Sequence, residues 1–177
     1  GSFDPPHVCH VLVATYVLCR GDVDEVRIVP VFSHAFGKKL SAFSTRCEML
    51  EAALKHLGPR VVIDPIEAEL GGTNYTIDTV RALLTREPNI KLTFVCGTDL
   101  FASRHRWKSW ETLESELDFF VIGRGSSEAQ AGHNTEVELP DVSSTEIRRR
   151  VASNETIHRL VTPGVQTMIN DHGLYLQ

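Results

Sequence analysis

Long hydrophobic runs, paired cysteines and a surplus of positive charge are all missing from this 177-residue chain. No apolar stretch approaches the roughly 20 residues that span a bilayer, and no signal-peptide pattern begins the chain, so neither a membrane protein nor a secreted one is expected. Cys9, Cys19, Cys47 and Cys96 show no paired spacing and lie in apolar segments. That argues against a disulfide framework and predicts free thiols in a reducing cytoplasm. Lys and Arg number 18 against 23 Asp and Glu, a net charge of −5. A general nucleic-acid binder needs the opposite balance, so any phosphate site must be local. Repeats and low-complexity tracts are also absent. What remains is a composition of 42% hydrophobic and 23% charged residues, ordinary for one globular domain over residues 1–177 with a real core.

The most informative segment is Gly1-Ser2-Phe3-Asp4-Pro5-Pro6-His7-Val8-Cys9-His10. It sets a glycine, two prolines and two histidines directly before an apolar helical run, Val11 to Cys19. A turn entering a helix presents backbone N–H groups and a positive dipole end, which suits an anionic phosphate. His7 and His10 are three apart, share one face, and can donate hydrogen bonds to phosphate oxygens without being permanent cations. A zinc site built on His7, Cys9 and His10 would need a second Cys/His pair, and none follows. Asp4 is expected to hold this turn by bonding local amides.

Strands and helices alternate along the chain. Strands are predicted at Val26 to Val31, Val61 to Ile63, Leu92 to Cys96 and Phe119 to Ile122, with an outer strand at Thr135 to Leu139. Helices are predicted at Ser44 to Leu57, Thr76 to Thr85, Ser143 to Ala152 and Pro163 to His172, the last with Thr162 as cap and Gly173 as stop. Gly123 to Asn134 is polar and reads as a mobile loop. The alternation predicts parallel strands with right-handed crossovers, an α/β Rossmann-like doubly wound sheet in three layers, α/β/α, with a C-terminal helical portion. Ligands in such folds bind at the carboxyl ends of the strands.

Gly1 to His7, Pro30 to Lys38, Gly97 to Asp99 and Val142 to Thr145 fall at such strand ends, and the chain carries several chemistry-bearing patterns besides. Ser143-Ser144-Thr145-Glu146 is a capping-box pattern followed by Arg148, Arg149 and Arg150. Cations so near a helix N-terminus oppose its dipole, and an anion between them would relieve the conflict. Lys38 and Lys39 form either an exposed charge pair or a mobile cation for a polyphosphate. Asn74-Tyr75-Thr76 follows Gly71-Gly72, with Thr76 placed to cap a helix. Trp107 sits among His105, Arg106 and Lys108, a setting too polar for core. Asp99 can accept sugar hydroxyls or cap the next helix. No serine or cysteine nucleophile with a base and an orienting group is legible.

Gly-Ser-Phe-Asp-Pro-Pro-His-x-x-His resembles the signature of the nucleotidylyltransferase superfamily. Gly72 to Thr79, Gly97 to Trp107, Ser143 to Arg148 and the tail from Pro163 to Tyr175 look like bacterial nicotinate-nucleotide adenylyltransferase, in the expected order from Gly1 to Tyr175. The resemblance implies transfer of AMP from ATP to nicotinate mononucleotide, giving nicotinate adenine dinucleotide and pyrophosphate, with Mg2+ carried by the substrate and no protein metal site. It implies catalytic roles for His7, His10 and Arg148. ATP contacts are implied for Gly1, Ser2, Phe3, His7, His10, Ser144, Thr145, Arg148 and Lys38. Mononucleotide contacts are implied for Asn74, Tyr75, Thr76, Asp99, Trp107 and Arg46, though Arg46 could instead brace its helix through a carboxylate. A nicotinamide mononucleotide enzyme, pantetheine phosphate adenylyltransferase and a non-catalytic nucleotide-binding module are the alternatives. ATP and the mononucleotide are the expected partners, with no nucleic acid or membrane, and a homo-oligomer is left open. The family places a core strand just before the motif, so that strand is expected upstream of Gly1. Cys9 stands where the family has glycine and is expected to take some of the room ATP would use.

Overall fold

A computed structural model describes residues 1–33, 37, 39–124 and 137–176, with the backbone alone at 99, 100 and 124. Lys38 and the loop residues 125–134 therefore lie outside the described residues. The chain divides into two compact units, Gly1–Thr73 with Val142–Gln177, and Asn74–Asp141.

In the first unit, helix α1 (Val8–Arg20) precedes strand β1 (Val26–Ile28), helix α2 (Phe43–Leu54) with a 3-10 turn at Lys55–Leu57, strand β2 (Val61–Ile63) and a short helix α3 (Ile66–Leu70). Strands β1 and β2 are parallel, with Val26, Arg27 and Ile28 opposite Val61, Val62 and Ile63. The strand expected to reach Val31 stops at Ile28, two residues before Pro30, which has no N–H to give a ladder. Val31 instead donates its N–H to the carbonyl of Gly1, 2.8 Å away. The same unit ends with helices α7 (Ser144–Ala152) and α8 (Pro163–Asp171); the labels α4, α5 and α6 belong to the second unit. Ala14, Met49, Leu50, Ile147, Val165 and Ile169 are fully buried here, each on the apolar face its helical spacing predicts. Helix α8 lies against α2 and is tight at Gly164, where a Cβ would come within 3.2 Å of the Ala52 Cβ.

The second unit runs through α4 (Thr76–Arg86), β3 (Thr93–Gly97), α5 (Thr98–Ala102), a 3-10 turn at Arg104–Arg106, α6 (Trp110–Glu116), β4 (Asp118–Arg124) and β5 (Glu138–Leu139). Strand order is β3-β4-β5 and both pairings are parallel, with Thr93 to Gly97 opposite Asp118 to Ile122 and Gly123–Arg124 opposite Glu138–Leu139. Ile77, Val80, Leu113 and Leu117 form one buried cluster, and Cys96, Phe101 and Val121 another.

Every strand pair among the described residues is parallel, and each is separated in sequence by a connecting segment: this is the Rossmann-like α/β class. The sequence pattern omitted α3, α5 and α6, whose five, five and seven residues are too few to show a 3.6 period. No helix among the described residues is long and apolar enough to cross a membrane.

Candidate active site

The first unit brings the two ends of the chain together around one turn. Gly1 to His7 enters α1 with His7 at the N-cap, in extended backbone (φ −139°, ψ 172°). Three residues on, His10 Nδ1 accepts the His7 backbone N–H at 3.0 Å. An amide N–H can only donate, so Nδ1 carries the lone pair and the ring proton of the neutral imidazole sits on Nε2. The helix start thereby converts His10 into a donor of fixed tautomer. The His7 ring, 2% exposed, lies tilted against that of His10 at 3.7 Å between centroids, and Phe3 meets the His10 ring edge-on at 4.8 Å. Gly1 leaves space for the Phe3 ring, which a Cβ would approach to 3.0 Å.

The expectation of open backbone donors at the start of α1 is corrected. Val8 N–H donates to the Leu160 carbonyl at 2.9 Å and His10 N–H to that of His7 at 2.9 Å. Open donors occur instead at α7. Its cap, Ser143, accepts the Glu146 N–H at 3.2 Å as the sequence pattern indicates. Among the described residues, no acceptor meets the N–H groups of Ser144 and Thr145. The Ser144 hydroxyl donates to the Pro5 carbonyl at 2.8 Å, which ties α7 to the turn.

Arg148 extends from this helix with one guanidinium N–H on the Asp4 carbonyl at 2.6 Å and another on the Thr145 hydroxyl at 3.2 Å. It forms no salt bridge among the described residues. Arg149 and Arg150 differ: both pair with Glu146 at 2.8 Å, and Arg149 also with Glu155 at 2.7 Å. Those hydrogen bonds, Arg149's first, hold the Glu146 carboxyl down to about 2. The anion that relieves these two arginines is internal, and of the three only Arg148 has no salt-bridge partner among the described residues, beside open N–H groups.

Asp4, 2% exposed, reaches distant partners rather than local amides: Ser41 N–H at 3.1 Å and the Tyr175 hydroxyl at 2.5 Å. Arg46, expected to line a mononucleotide site or to brace its helix through a carboxylate, has no carboxylate in salt-bridge contact among the described residues. It is 1% exposed and its guanidinium donates to the carbonyls of Ser2, Val31 and Ser41 at 2.9, 2.7 and 3.1 Å. Burial lowers its pKa, against the pull of Asp4. Cys9 is 3% exposed and part of the core.

In the second unit, Asn74, Tyr75 and Thr76 lead into α4, but the cap is Tyr75 and Thr76 is the first helical residue. The Asp78 carboxylate explains this, because it reaches back to the Tyr75 N–H at 3.1 Å. It also meets the Lys108 ammonium at 3.3 Å, which lies 4.7 Å from the Tyr75 ring centroid. The Tyr75 N–H is therefore already occupied, whereas that of Thr76 meets no acceptor among the described residues. Trp107 is half-buried against the Ile77 cluster, with T-shaped contacts to Phe94 (5.4 Å) and Trp110 (5.9 Å) that fix its ring plane. It lines an open cavity of about 490 Å³ with Ala102, Arg104, His105, Trp110 and Glu111. Asp99 falls in α5, its side chain outside the described residues. Among the described residues, no group of three or more His, Cys, Asp or Glu side chains could hold a metal ion.

The cytidylyltransferase-like family model matches residues 1–150. A protein of Anaeromyxobacter dehalogenans (strain 2CP-1) named probable nicotinate-nucleotide adenylyltransferase is 34% identical over 178 residues, covering 99% of this chain and 93% of that one. A protein of the same name from Myxococcus xanthus is 34% identical over 175 residues, covering 99% and 91%. The chain belongs to the nicotinate-nucleotide adenylyltransferase family. Its fold is shared with Plasmodium falciparum nicotinic acid mononucleotide adenylyltransferase, solved in complex with NaAD, at a TM-score of 0.81 and 20% identity over 99% of this chain and 94% of that one. Within this adenylyltransferase family member, sequence reading passed over Asp78, Lys108 and the tie from Tyr175 to Asp4. Asp78 had a local signal, an acid three residues after Tyr75. The Tyr175 tie, across 171 residues, had none.

Proposed function

We propose that the protein transfers AMP from ATP to nicotinate mononucleotide, releasing pyrophosphate. The phosphate of the mononucleotide attacks the α-phosphorus of ATP, a new P–O–P bond forms, and the bond to the β-phosphate breaks. The attacking oxygen is already anionic, so no protein nucleophile is needed; the protein aligns the groups and stabilises charge developing on the leaving pyrophosphate. The observation that carries this reading is Arg148, without a salt-bridge partner among the described residues and on the same helix start as the open Ser144 and Thr145 N–H groups. His10 adds a neutral Nε2–H donor beside the same turn, held by His7 and Phe3. Arg46 fixes the turn from behind, and Lys38 is assigned to the polyphosphate.

ATP enters as its Mg2+ complex. The donors around Arg148 and His10 are cationic or neutral rather than carboxylate, which suits a cation that rides on the phosphates. Asn74, Tyr75, Thr76 and Trp107 are assigned to the pyridine mononucleotide and Asp99 to its ribose. The family match over residues 1–150, which includes most of both units, supports reading the chain as one nucleotidylyltransferase domain. Free cysteines support a cytoplasmic setting.

One observation favours a second reading, nicotinamide mononucleotide. The Asp78 carboxylate occupies the Tyr75 N–H and would repel a substrate carboxylate, while an amide NH2 could donate to it. The open Thr76 N–H and the Lys108 ammonium favour the nicotinate form. Incubation with ATP and nicotinate mononucleotide should yield pyrophosphate and dinucleotide in equal amounts. Phosphate release without dinucleotide, or no turnover, would reject the assignment.

A further inference from the structure

We infer that Tyr175 is a positioning residue for AMP transfer, acting through Asp4 on Arg148 and the Gly1–His7 turn. The inference rests on the function proposed above. The tail reaches the turn along a determined path. After α8, Gly173 N–H donates to the Asn170 carbonyl at 3.2 Å and Leu174 N–H to that of Ile169 at 3.0 Å. Tyr175 then adopts φ 63°, a left-handed conformation uncommon for a residue with a side chain. Its hydroxyl donates to Asp4 Oδ1 at 2.5 Å. Burial first, and the Asp4 hydrogen bond next, push the Tyr175 hydroxyl above the ordinary tyrosine range, so it stays a donor.

Asp4 is the joint of this region. Its Oδ2 accepts the Ser41 N–H at 3.1 Å and its carbonyl accepts from Arg148 at 2.6 Å. Side chain and carbonyl belong to one residue, so the carboxylate's anchors set where the carbonyl stands, and the carbonyl sets where the guanidinium points. Removing the hydroxyl leaves a buried carboxylate oxygen short of its donor, and the residue can relieve that only by turning or moving. A small displacement of a charged group aimed at a reacting phosphate is costly in rate. Among the described residues, Tyr175 makes no hydrogen bond to His10 or Arg148 itself.

The test uses the full chain with Tyr175→Phe, which keeps the ring and removes only the donor, together with Asp4→Asn and the double variant. Tyr175→Phe should lower kcat/KM for ATP about tenfold, leaving KM for the mononucleotide unchanged at temperatures where both proteins are fully folded. In Asp4→Asn, the amide oxygen keeps the Ser41 N–H and the amide NH2 faces the Tyr175 hydroxyl, so the donation from Tyr175 to Asp4 is already lost. Adding Tyr175→Phe there should cost nothing further. Wild-type kcat/KM in Tyr175→Phe, losses that multiply in the double variant, or a defect that vanishes with full folding would each overturn the inference. If the wild-type protein makes no dinucleotide, the assigned reaction has failed, and calorimetric ATP affinity then reads the same link. Weaker binding by Tyr175→Phe supports it, and equal binding overturns it.

Discussion

Two separate roles of His10 can be pulled apart by mutation. Its Nδ1 caps the N-terminus of α1 by accepting the His7 N–H at 3.0 Å, and its Nε2–H is the donor assigned to phosphate. His10→Ala removes both. Losing an acceptor at a helix cap costs about 1 kcal/mol, which for a chain of this length lowers the Tm by about 3 °C. Losing a preorganised donor at a developing charge costs about 3 kcal/mol in the barrier, or about a hundredfold in kcat. The protein itself shows how to restore one role alone. At the start of α4, Asp78 occupies the corresponding position and reaches the cap N–H at 3.1 Å with a two-carbon side chain. His10→Asn should do likewise at α1, recovering most of the Tm while kcat stays about a hundredfold down. Thermal unfolding and pyrophosphate release on the same preparations read the two effects. Near-wild-type turnover in His10→Asn, or an unmoved Tm in His10→Ala, would refute this division of labour.

Cys9→Gly should lower stability by about 1 kcal/mol and leave ATP affinity unchanged, because the thiol is buried in the core; tighter ATP binding by calorimetry would count against that placement. The folded Glu146 carboxyl titrates at about 2 against an ordinary 4.5. Its contribution to stability is thus complete above about pH 4.5 and is lost as pH falls through 2, so Glu146→Gln should flatten the urea midpoint across that window, less so in high salt. Trp107→Ala should raise KM about tenfold for nicotinate and nicotinamide mononucleotides alike, with their ratio unchanged; a change confined to one substrate would mean the ring does more than stack.

Local signals carried much of the fold and part of the site. The helix start at Ser143 is a four-residue pattern that needs no tertiary partner, and the structure forms it. The strand at Val61–Ile63 was legible because a β-branched run has few other uses. Side chains that end on remote groups were not legible. Arg46 reads as a candidate ligand until its three carbonyls, at Ser2, Val31 and Ser41, come into view. Asp4 reads as a turn residue, although its carboxylate joins Ser41 and Tyr175, 37 and 171 residues away. By residue type the cap of α4 falls at Thr76, one residue late, since threonine is the better capping residue. Asp78 selected Tyr75 instead, and with that choice took a donor that had been assigned to substrate.

That competition makes the pyridine end the most exposed part of the account, and one ratio tests it. kcat/KM for nicotinate and for nicotinamide mononucleotide, measured side by side with ATP and Mg2+, reads whether the Thr76 N–H and the Lys108 ammonium outweigh the Asp78 carboxylate. An unmet donor costs about 1–3 kcal/mol, so the nicotinate substrate should be favoured about tenfold or more. Equal values, or a preference for the amide, would contradict the assignment and move it to nicotinamide mononucleotide.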